Sequence, residues 1–95
     1  MIGIDIIKIS RVKKLSQAAK RKLLTESEMK LSLESQAGAI AAKEALAKAL
    51  NKVPPRWLEI EIMHDKSGKP YFSNSKAHLS ISHDGGFAVA VVMIK

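Results

Sequence analysis

Two carboxylates, an ammonium and an imidazole stand where chemistry could be done. Asp5 lies within Ile2-Gly3-Ile4-Asp5-Ile6-Ile7-Lys8-Ile9, and strand alternation puts it on one face with Ile7 and Ile9. A carboxylate among aliphatic side chains is costly unless it is paired or bound to a cation. The plainer readings are a salt bridge to a lysine or an edge position in water. Glu44 and Lys48 are one helical turn apart, and the plainer reading there is an i,i+4 ion pair worth a few tenths of a kcal/mol. The functional reading is a carboxylate that ligates a hard cation beside an ammonium that holds a phosphate. Mg2+ is usually held by two carboxylates from separate elements, with water and phosphate oxygens completing the shell. Asp5 and Glu44 would form that pair.

His83 ends a strand pattern that puts Leu79, Ile81 and His83 on one face and Ser80 and Ser82 on the other, followed by the turn Asp84-Gly85-Gly86. It is either a hydrogen-bonded histidine at a strand end or a donor to a phosphate. His64, His78 and His83 lack a compact zinc-ligand spacing. The Gly68-Lys69-Pro70 turn could present backbone N–H groups and an ammonium to an anion, as many surface turns could. No serine or cysteine nucleophile signature, dinucleotide fingerprint or P-loop is present.

Seven cations and no acid fall between positions 8 and 22 (Lys8, Arg11, Lys13, Lys14, Lys20, Arg21, Lys22), in a chain of formal charge +7. Such a run attracts a polyanion or is a solvated helix face. It has no aromatic residue to stack a base, which weakens a nucleic-acid reading.

The elements that must position these groups follow from pattern. Residues 2–9 read as a β-branched strand and 11–24 as one or two short amphipathic helices. Thr25-Glu26-Ser27-Glu28 matches a capping box. Residues 35–50, rich in Ala, Lys, Glu and Leu, form the strongest helix, ended by Asn51 and Pro54-Pro55. Trp57 to Met63 alternates as a half-exposed strand, Asp65 to Gly68 is a turn, and 69–73 and 79–83 are short strands. Phe87 to Ile94 is apolar on both faces and reads as central and covered on both sides. Strand, helices, then strands implies an α+β fold in which a small antiparallel sheet packs against a long helix.

The 95 residues allow one domain, 1–95, with a small core that association would help. The absence of cysteine excludes a disulfide scaffold and fits a reducing compartment. No apolar run approaches a membrane span and no secretory pattern is visible, so the expected location is the cytoplasm.

Four stretches, in order, resemble the 4′-phosphopantetheinyl transferases of the holo-acyl-carrier-protein synthase type: GIDIIKISRV at 3–12, AAKEALAKAL at 41–50, IEIMHDKSGKPYF at 60–72 and LSISHDGGFAVAVVM at 79–93. LLTESE at 23–28 is similar to the family's loop-to-helix entry. The resemblance implies an enzyme that transfers the 4′-phosphopantetheine arm of coenzyme A to a serine of apo-acyl carrier protein, releasing adenosine 3′,5′-bisphosphate. It implies the family fold and a homotrimer with each active site between subunits. On the same ground Asp5 and Glu44 bind Mg2+, and Lys48 meets a phosphate oxygen. Ser82 and His83 approach the coenzyme phosphates, and Gly68, Lys69 and Pro70 approach its nucleotide end. Arg11 matches a family arginine at the carrier-protein interface, which Lys13, Lys14, Lys20 and Arg21 extend. Acidic carrier proteins suit that run, with steering that weakens in salt. Glu44, or water held by the ion, would take the serine proton.

Two other readings stay open. One is a module that keeps the fold and binds coenzyme or carrier without chemistry, motivated by Ala39, where the family usually has arginine, and by the altered 51–55 loop. The other is a small basic nucleic-acid binder with steep salt dependence.

Overall fold

A computed structural model describes residues 1–51 and 57–95. Strand β1 (Ile2–Lys8) leads into three short helices, α1 (Ile9–Lys13), α2 (Gln17–Leu23) and α3 (Glu26–Met29), and then the long helix α4 (Leu33–Leu50). A 3-10 turn (Trp57–Glu59), the short hairpin β2 (Ile62–His64) and β3 (Pro70–Phe72), and the longer hairpin β4 (His78–Asp84) and β5 (Phe87–Met93) complete the described chain. The main sheet is antiparallel in the order β1-β5-β4, and β2 and β3 form a separate pair. The fold is therefore α+β with a small antiparallel sheet against a long helix.

Helix α4 is capped at both ends. The Ser32 side chain accepts from the Ser35 N–H at 3.2 Å, and Asn51 takes the left-handed conformation, φ 55°, at the C-terminus, a common helix stop. Pro54-Pro55, the expected terminator, lie outside the described residues. The capping box is formed: Thr25 accepts from the Glu28 N–H and Glu28 accepts from the Thr25 N–H.

Small side chains set how α4 meets the sheet. Ala41, Ala42 and Ala45 are fully buried, as are Ala88 and Ala90 on β5. A Cβ on Gly3 would lie 2.0 Å from the Ala45 carbonyl oxygen, and one on Gly38 would lie 3.0 Å from Ile81 Cγ2. The helix thus crosses the sheet diagonally, its first half over β4 and its second half over β1. Asp5 pairs in register with Ala90 and Ile81, and Ile7 with Ala88 and His83, so these rows face α4.

The opposite face is open. Its rows are Ile2, Met93 and His78; Ile4, Val91 and Ser80; Ile6, Val89 and Ser82; and Lys8, Phe87 and Asp84. Ile4 and Ile6 are 58% and 60% exposed. Strand β5 is central, as expected, but within one chain it is covered on one face only. A second difference concerns Trp57 to Met63, where the alternation predicts a strand. Trp57–Glu59 is a 3-10 turn and pairing begins only at Ile62, because β3 offers three residues to pair with.

A buried polar network ties the short helices to α4. Lys43 Nζ donates to Glu28 Oε1 at 2.6 Å and to the Leu23 carbonyl at 2.7 Å. Glu28 Oε2 accepts from the Ile62 N–H at 2.9 Å, and Thr25 Oγ1 donates to Glu61. Gln36 donates to the Met29 carbonyl at 2.9 Å and accepts from Lys20 Nζ at 3.2 Å.

Candidate active site

Asp5 is carried to the β1 edge on the helix-facing side, and its side chain is 19% exposed. Lys48, in the last turn of α4, reaches across to it. Its Nζ lies 3.0 Å from Asp5 Oδ1 and 3.0 Å from the Ile4 carbonyl oxygen. The expected Glu44–Lys48 pair along the helix is replaced by this bridge between elements. Among the described residues no hydrogen bond or ion pair engages the Glu44 carboxylate. Asp5 and Glu44 line one cleft of about 320 Å³ together with Arg11, Ile6, Ile7 and Ile40. The cleft thus joins an unpartnered carboxylate, a carboxylate held by an ammonium, and a guanidinium. Two carboxylate donors on separate elements, with room for water and anionic oxygens, fit a hard divalent ion.

A second cleft, about 190 Å³, lies at the other edge of the sheet. His83 and Ile81 of β4, Glu34, Ser35, Gly38 and Ala39 of α4, His64 of β2, and Gly68 and Pro70 of the β2–β3 turn line it. The Asp65 carboxylate shapes that turn. Its Oδ1 accepts from the Ser67 N–H at 2.8 Å, the Ser67 hydroxyl at 2.6 Å and the Lys69 N–H at 3.0 Å. These bonds, the Ser67 hydroxyl foremost, pull the Asp65 carboxyl below its ordinary 3.8. Gly68 has φ +89°, a conformation glycine adopts without strain.

The two clefts do not merge within one chain. Ile40 and Glu44 stand roughly half a turn around the α4 axis from Glu34, Ser35 and Gly38, so the helix itself divides them. His83 is accordingly not brought to Asp5 and Glu44. Ser82, expected beside the phosphates with His83, points to the open face of the sheet. Lys69 is exposed at the turn but is not among the residues lining the cleft.

Of the expected carrier-docking residues, Arg11, Lys13, Lys14 and Arg21 are exposed. Lys20 is placed differently from these four. It is buried, 9% exposed, and its ammonium is spent on Gln36. The charge run made all its cations look alike, while the bond to Gln36 of α4 turns this one inward.

Sequence reasoning missed three groups. Glu34 lies with Oε2 2.9 Å from His83 Nδ1, a contact between distant residues that no spacing in the sequence signals. His64 was considered only as a zinc ligand. Lys43 has no mark in the sequence beyond the run of alanines in which it sits, the one sign of burial. Desolvation holds its pKa below the ordinary 10.5, against the opposing pull of Glu28.

Comparison with known proteins adds identity to geometry. The family model for the 4′-phosphopantetheinyl transferase superfamily matches residues 1–92. The chain is 45% identical, over an alignment 111 positions long with gaps, to the holo-[acyl-carrier-protein] synthase of Nautilia profundicola, covering 99% of this chain and 98% of that one. It is 41% identical to that of Campylobacter fetus, over 100% of this chain and 99% of that one. Its fold matches the crystal structure of Helicobacter pylori holo-[acyl-carrier-protein] synthase in complex with coenzyme A, with TM-score 0.89, 35% identity and full coverage of both chains. It also matches the Bacillus anthracis synthase in complex with CoA (3′,5′-ADP), with TM-score 0.84, 40% identity, and 96% of this chain and 91% of that one covered.

Proposed function

The chain belongs to the 4′-phosphopantetheinyl transferase superfamily, and on that premise we propose that it transfers the 4′-phosphopantetheine group of coenzyme A to a serine of apo-acyl carrier protein, releasing adenosine 3′,5′-bisphosphate. The observation that carries the reading is the first cleft, where Asp5 from β1 and Glu44 from α4 face a common space with Lys48 bound to Asp5.

The serine hydroxyl attacks the β-phosphorus of the coenzyme pyrophosphate. A serine O–P bond forms, the bond to the adenosine-side phosphate oxygen breaks, and the serine proton passes to a base. Glu44, or a water beside the ion it would hold with Asp5, is our candidate for that base. Asp5 and Glu44 would hold Mg2+, which would supply charge neutralisation at the pyrophosphate. Lys48 exchanges its bond to Asp5 for a phosphate oxygen, so the ammonium stays neutralised before and after substrate enters. Arg11, at the mouth of the same cleft, faces the acidic carrier protein, with exposed Lys13, Lys14 and Arg21 extending that surface.

His83, Gly68, Lys69 and Pro70 contact the coenzyme phosphates and nucleotide. They can meet Asp5 and Glu44 around one coenzyme only if a second copy supplies them, because α4 stands between the two clefts of each chain. The open apolar sheet face is the surface through which copies would join, and a closed trimer is the assembly we propose. A cysteine-free chain suits work in the cytoplasm.

Mass spectrometry of an apo-acyl carrier protein after incubation with this protein, coenzyme A and Mg2+ tests the reading. The expected result is a gain equal to the phosphopantetheine arm, lost about a hundredfold or more in rate with Asp5→Ala or Glu44→Ala. Wild-type turnover in both variants would overturn the metal assignment. Carrier binding with no gain in mass would instead identify a binding module.

A further inference from the structure

His83 does not stand alone in the second cleft. Glu34, in the first turn of α4, puts Oε2 2.9 Å from its Nδ1. Both side chains are more than half exposed, 55% for His83 and 56% for Glu34, so the contact adds little to stability. Its consequence is for the ring. A carboxylate on Nδ1 keeps the proton on that nitrogen, fixes the ring plane and leaves Nε2 to face the other way. The titratable groups lining the cleft are Glu34 from α4, His64 from β2 and His83 from β4. On its far side Glu34 borders a groove with Lys8 and Lys13. Asp84, next to His83, belongs to the open face of the sheet.

We propose that Glu34 is a positioning residue for His83. It holds the imidazole through Nδ1–H with Nε2 toward the cleft, so that the imidazolium form donates from Nε2 to a coenzyme phosphate and stands between two anions. This rests on the reading of His83 as a phosphate contact. The sign of the effect is diagnostic. A carboxylate lining an anion-binding cleft should repel the ligand, so its removal should tighten binding. If it acts through His83, its removal should weaken binding.

The test uses the full chain, with coenzyme A as probe and 15N NMR of the histidine rings as a readout that needs no ligand. In the wild type, neutral His83 should carry its proton on Nδ1. In Glu34→Ala it should revert to the Nε2–H form that free imidazoles prefer. Calorimetry should find coenzyme A bound about fivefold more weakly by Glu34→Ala. Glu34→Gln should recover part of the loss, because its amide oxygen still accepts from Nδ1. In a His83→Ala background, Glu34→Ala should cause no further weakening. An unchanged tautomer, or tighter coenzyme binding by Glu34→Ala in the wild-type background, overturns the assignment of Glu34. Unchanged coenzyme affinity in His83→Ala alone, with the tautomer shift still seen, overturns the reading of His83 on which the proposal rests.

Discussion

Lys43 and Lys48 stand on the same helix and meet opposite fates. Lys48 is half in water, where its bond to Asp5 is open to exchange. Lys43 is 1% exposed and locked between Glu28 and the Leu23 carbonyl. Removing one member of a buried pair leaves the other without compensation, which costs about 3–5 kcal/mol. Lys43→Met should therefore lower stability by about 3 kcal/mol or more in urea unfolding. The pH dependence has a definite sign. Burial lowers the Lys43 pKa below its ordinary 10.5, so between those two values the unfolded chain holds more protons than the folded one. Stability contributed at Lys43 then rises with pH across that window. Unfolding midpoints measured from neutral pH to pH ~10 should show this rise in the wild type and a smaller one in Lys43→Met.

Among the elements, the contact of β1 with α4 decides the geometry of the first cleft. Gly3 lets the strand backbone lie against the helix, and any side chain there collides with the Ala45 carbonyl rather than with a flexible group. Gly3→Ala should destabilise the fold by about 3 kcal/mol. Turnover should fall even where the variant stays folded, because the carboxylates of β1 and α4 move apart; calorimetry and carrier loading measured at low temperature would separate the two effects. The long elements were legible in the residues. The Ile alternation predicted β1, the alanine-rich run predicted α4, and the Gly-Gly turn predicted the last hairpin, each within a residue or two of its bounds. What failed was tertiary. Alternation at Trp57–Met63 cannot make a strand without a partner of equal length. Local charge cannot show that Lys20 and Lys43 turn inward. The residues of the first cleft were readable because two acids at separated, unusual positions need a reason. Glu34 was not, because its significance is its distance to His83, which only the diagonal crossing of α4 creates.

For the molecule as a whole, the open face of the sheet is the largest departure from what one small chain would expose. Ile2, Ile4, Ile6, Phe87 and Met93 all remain substantially in water, and each such side chain is worth about 1.5–3 kcal/mol when buried. Ile4→Lys should break the proposed trimer into monomers without unfolding them, since the side chain points away from α4. Light scattering should show the change in mass, and carrier loading should fall about a hundredfold or more. A variant that remains assembled and active would remove the sheet face from the interface.

Helix α4 separates the two clefts as a wall separates two rooms, and this has a genetic consequence. A subunit crippled at Asp5 still owns an intact His83 side, and one crippled at His83 still owns an intact Asp5 side. Coexpressed, two dead alleles should complement each other. With random mixing in the proposed trimer, about a quarter of the junctions would join two sound halves, and carrier loading should return to about that share of the wild-type rate.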